Sequence, residues 1–177
     1  MKRLFRSILT LGLSIIGHGH SQKYQFDHMY LELRKKAFSV SPKDLKLTEN
    51  KIGKVYGVLM ETGFPEGICT LTAFAEGSVS LYFSNGGGMI GIGEHEAPRK
   101  IALDYINNSK EYLKFSSKTK VFPNPIIHET IFYFLTFDGV YTFRDSEENF
   151  GNYKNDLSKL FHKAQELITE ARAIKKG

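Results

Sequence analysis

Residues 55–62 read VYGVLMET, residues 68–75 read ICTLTAFA and residues 78–84 read SVSLYFS. The first is a near-continuous apolar run between Gly53 and Gly63, and it predicts a strand covered on both faces. The second is rich in Ile, Thr and Phe, the composition of a half-buried or buried strand. The third alternates, with Val79, Leu81 and Phe83 on one side and Ser78, Ser80, Tyr82 and Ser84 on the other. The links between them are the turn 63–67 (GFPEG) and the pair Glu76-Gly77. Both are too short for a parallel crossover, so the three segments form an antiparallel meander.

On the N-terminal side, residues 26–38 place Phe26, Tyr30, Leu33 and Ala37 on one helical face with Arg34, Lys35 and Lys36 around the other. Ser41-Pro42 ends that helix. On the C-terminal side, Pro98 opens a second helix whose apolar positions are Ala102, Tyr105, Ile106, Tyr112 and Leu113. Residues 126–137 and 140–144 then flank Asp138-Gly139, a strong hairpin signal. Leu157, Leu160, Phe161, Ala164, Leu167, Ile168, Ala171 and Ile174 trace the apolar stripe of a last helix. The order α-βββ-α-ββ-α predicts an α+β domain of two layers, a five-stranded antiparallel sheet with helices mainly on one face, over residues 23–177. A chain of 177 residues with 41% apolar and 24% charged residues has the composition of one such domain.

The net charge of +5 is unevenly placed. Residues 55–97 carry five Glu and no Lys or Arg, whereas residues 1–54 carry eleven basic and four acidic residues. The helical segments are positive and the strand segments negative, so the protein is dipolar rather than basic. No run of five like charges and no Arg-aromatic interleaving occurs, which argues against a nucleic-acid partner. Residues 1–22 resemble a leader: Lys2, Arg3 and Arg6 precede an apolar-rich stretch, and small residues follow near Gly19 and Ser21. A polar stripe at Arg3, Ser7, Thr10 and Ser14 fits an amphipathic helix as well. Export to the periplasm or outside follows if the leader is cleaved, and a cytoplasmic address if it is not. The segment is too short for a transmembrane span. One cysteine, Cys69, leaves no intramolecular disulfide.

The most unusual stretch is 84–96, SNGGGMIGIGEHE. Gly86, Gly88 and Gly91 formally satisfy G-x-G-x-x-G, yet the preceding strand belongs to a meander and Pro98 delays the helix, so a dinucleotide fold does not follow. The glycines serve either positive backbone angles and close approach, or a loop whose N–H groups meet an anion. Ligand contacts are therefore expected at Asn85, Gly86, Gly87, Gly88, Gly91 and Gly93. Glu94, His95 and Glu96 follow, and with His128 they are the candidate acid-base residues, although no pair has the spacing of a metal motif. Cys69 reads as a small buried hydrophobe.

The reading is a small non-enzymatic binding or interaction domain for a protein or small anionic ligand, with no cofactor and no metal. A hydrolase using His95 with Glu94 or Glu96 and His128 is the second class. The third is an assembly subunit, a homodimer pairing through the hairpin that holds Phe132, Tyr133, Phe134, Phe137, Tyr141 and Phe143.

Overall fold

The computed structural model describes residues 24–174, so the leader read at 1–22 lies outside them. The chain is α+β with an antiparallel sheet, as expected, but the sheet has seven strands rather than five. They are β1 (Val55–Phe64), β2 (Gly67–Phe74), β3 (Val79–Phe83), β4 (Gly88–Ile90), β5 (Ser117–Thr119), β6 (Glu129–Thr136) and β7 (Gly139–Ser146), in the order β4-β3-β2-β1-β6-β7-β5. The two extra strands are short edges. β4 is the second half of the glycine-rich segment, folded back on β3, and β5 lies beside β7 at Val140, Tyr141 and Thr142.

The meander is as read, with β1 extended to Phe64 and β2 shifted by one residue to Gly67–Phe74. Phe64 pairs with Gly67, so the turn is only Pro65-Glu66. Gly63 stays in the strand because the backbone at Ile126 crosses where a side chain would stand. Of the aromatic hairpin β6 is interior, paired with β1 and β7, while β5 covers β7 only at Val140, Tyr141 and Thr142.

The helices are α1 (His28–Ser39), α2 (Glu49–Ile52), α3 (Glu96–Ser109), α4 (Glu147–Gly151) and α5 (Ser158–Ile174), with a 3-10 turn at Ile92–Glu94 and a 3-10 extension of α3 at Lys110–Phe115. Among these described residues no helix is long and apolar enough to cross a membrane. α3 and α5 pack on one face of the sheet, over Val58, Met60, Leu71, Ala73, Leu81, Phe132 and Phe134. α1 packs on the other face, over Leu59, Ile68, Tyr82, Ile131, Tyr133 and Leu135. The expected two layers are thus three. The cause lies in the sequence of β1, which is buried over its first nine residues and so needs cover on both sides.

A bulge at Tyr56 shifts the pairing between Val55 and Gly57. It turns Tyr56 toward the α1 side, where its hydroxyl donates to the Val40 carbonyl at 3.0 Å. Asp27 caps α1 by accepting from the Met29 and Tyr30 amides, and its own N–H bonds to the Ser84 carbonyl at 2.7 Å. The start of α1 is therefore tied to the turn that leaves β3.

Candidate functional site

The glycine-rich segment is a tight hairpin. Gly86 and Gly87 hold φ of 100° and 82° in the turn between β3 and β4, and Gly86 N donates to the Phe83 carbonyl. Gly88 presses on β3, where a Cβ would lie 2.6 Å from the Leu81 carbonyl oxygen. Gly93 meets the Gly77 carbonyl, and Gly91 adopts a left-handed conformation before the 3-10 turn. Each conformation is accounted for by the path of the backbone. Met89 and Ile92 pack into the core while Ile90 is exposed. Of the predicted ligand residues, Asn85 borders the cleft under α5, and Gly86, Gly87, Gly88, Gly91 and Gly93 are not part of its lining.

The histidines do not meet. His95 precedes α3, and its 3-10 turn packs against Gly77 and Val79, at the β2–β3 turn. His128 donates its N–H to the Gly63 carbonyl at 2.8 Å, at the opposite end of β1 and β2. Gly63 is six residues along β1 from Gly57, the partner of Phe74, so strand rise alone separates the two ends by roughly 20 Å. Glu94, His95, Glu96 and His128 are all exposed. Among the described residues no group of three His, Cys, Asp or Glu is placed to hold a metal ion.

The cavity that Asn85 borders lies where α5 crosses the end of the meander, and its volume is about 310 Å³. Register explains why space exists there. On the α5 side, Phe83, Cys69, Thr62 and Thr130 form one row across β3, β2, β1 and β6. The next row inward contains Leu71, Met60 and Phe132. Thr62 and Cys69 are far smaller than Met60 and Leu71, and α5 runs over both rows, so the gap opens above the smaller pair. Met60, Phe64 and Phe83 supply further apolar wall, and Ile68, whose side chain belongs to the α1 face, borders the space through its backbone. Gln165, Ile168 and Arg172 line the α5 side at positions i, i+3 and i+7, one face of the helix. Glu66 and Asn85 complete the rim, with the Asn85 amide donating to the Glu66 carbonyl at 3.3 Å.

The polar atoms of the floor are satisfied. The Thr62 and Thr130 hydroxyls bond to each other at 2.9 Å. Burial pushes the Cys69 thiol up to about 12, with the charge of Arg172 opposing the rise and that of Glu147 adding to it. Cys69 is therefore a neutral thiol near pH 7, a wall atom rather than a nucleophile.

The other face carries a buried polar network. Glu61, fully buried, pairs with Arg34 of α1 through two bonds of 2.8 and 2.7 Å. Thr70 donates to Glu61, and the Tyr30 hydroxyl lies 3.2 Å from that of Thr70. Arg34 also donates to the Phe122 carbonyl at 3.0 Å, and Tyr133 to Pro123 at 2.6 Å. The sequence reading placed Arg34 on the solvent side of its helix; the structure turns it inward. One cue existed, because a lone Glu in a strand covered on both faces demands a cation from the layer above it.

The cleft residues Cys69, Thr62, Ile168 and Arg172 were not singled out as a site by the sequence, since their proximity depends on the helix crossing. No protein family, curated protein or solved structure matches the chain.

Proposed function

We propose that the chain is a small non-enzymatic binding domain whose ligand enters the cleft between α5 and the ends of β1, β2 and β3. The cleft itself carries this reading: about 310 Å³, the low end of the size range of small-molecule sites, with a mainly apolar floor whose Thr62 hydroxyl is already bonded and with charged groups only at its rim. The neutral state of Cys69 and the separation of His95 from His128 favour binding over catalysis at this space. Asn85, which opens the glycine-rich hairpin, is its one contribution to the lining of the cleft.

Cys69 supplies the test, because it is the sole cysteine and lines the cavity. Alkylation of Cys69 by iodoacetamide at mildly alkaline pH should be slow and should become slower when anilinonaphthalene sulfonate, a probe for apolar sites, is bound. Probe binding with no change in the alkylation rate would place the site elsewhere. Gly87→Ala meets open space but strains a backbone held at φ 82°, so it should lower stability by about 1 kcal/mol while leaving both the protection and the probe affinity unchanged.

A further inference from the structure

We propose that the cleft selects small amphipathic anions, with the ligand's carboxylate at Arg172 and its hydrocarbon body on Met60, Cys69 and Ile168. This rests on the binding reading above and adds the chemical class of the ligand. Arg172 is the one cation bordering the cavity. Among the described residues it forms no ion pair, in contrast to Arg34, Arg144 and Lys163, which all do. The Gln165 amide, two helical turns earlier on the same face, likewise has no partner, and it offers a second donor beside the guanidinium.

The rest of the lining asks for no polar ligand atom. Thr62 is committed to Thr130 and the Asn85 amide to Glu66. A ligand that suits the space is thus apolar over its body and an acceptor at one end. Of the charges acting on the Cys69 sulfur, that of Arg172 is the largest, so its field reaches the floor as well as the rim. Planar guanidinium geometry favours a carboxylate, which accepts two parallel N–H bonds. Glu66, exposed on the turn that forms the opposite lip, is the single acidic group of the lining and works against an anion.

Decanoate, decanol and decyltrimethylammonium share one chain and differ in head charge. Each is titrated into the full-length protein by calorimetry, with Cys69 alkylation followed in parallel. Decanoate should bind most tightly and protect Cys69. Arg172→Gln should weaken decanoate about fivefold, the upper size for a pair at an exposed rim, and leave decanol unchanged. Arg172→Lys should recover part of the loss, Glu66→Gln should strengthen decanoate about twofold, and added salt should weaken decanoate alone. Arg172 and Glu66 are both exposed, so thermal melting should show each variant folded as the parent is. Equal protection by decanol and decanoate, or a decanoate affinity indifferent to Arg172→Gln, would overturn the anion class while leaving the cleft as the site. Absence of protection by all three compounds would overturn the cleft reading together with it.

Discussion

Against α3 and α5 the sheet presents Val58, Met60, Leu71, Phe132 and Phe134; against α1 it presents Glu61, Thr70, Tyr82 and Tyr133 among its apolar residues. The first face is held by area. The second is held by directional bonds, with Arg34 gripping Glu61 and the carbonyl of Phe122 at once. Directional bonds fix where a helix sits, because a slide of one residue breaks them, whereas apolar contact tolerates gaps at its margin. The gap occurs on the apolar face, where α5 passes over Thr62 and Cys69. A layer held by specific bonds on one side thus leaves the other side free to hold a cavity.

The sharpest way to break this contrast is Arg34→Met, which leaves the Glu61 carboxylate buried without its partner. It should cost about 3–5 kcal/mol in urea denaturation, and Arg34→Met with Glu61→Leu should recover most of that. Leu167→Ala, at a fully buried position of α5, should cost about 3 kcal/mol with no rescue by a second charge change. If the double variant of the α1 face is as unstable as Arg34→Met, the bonds there are not an exchangeable pair and the contrast fails. Gly88→Ala should cost about 2 kcal/mol, since its φ of 152° and the Leu81 carbonyl both resist a side chain. Asp27→Ala removes the α1 cap and should cost about 1 kcal/mol, the smallest effect of the series, read as a lowered melting temperature.

Much of the fold was legible where side-chain pattern follows backbone geometry. The alternation at residues 78–84, the doubly buried run at 55–62 and the stripe from Leu157 to Ile174 each predicted the element found. β4 was hidden because its pairing is made by backbone at Gly88 and Met89, where glycine erases the alternation. β5 was hidden because Ser117, Lys118 and Thr119 form a polar edge strand, free of the burial that shapes an apolar pattern. Glycine density drew the site reading to residues 86–93, and there it reports tight turns and close backbone approach. The cleft depends on which residues α5 crosses, a tertiary fact without local spacing. Asn85 is where the two readings touch, since it begins the turn and ends at the rim.

Methyl-resolved nuclear magnetic resonance during a decanoate titration separates entry of ligand under α5 from binding at the glycine hairpin. Binding under α5 predicts saturable shifts at the methyl groups of Met60, Thr62 and Ile168, with Met89, Ile90 and Ile92 unmoved. Shifts at Met89, Ile90 and Ile92 with Met60 and Ile168 unmoved would contradict it.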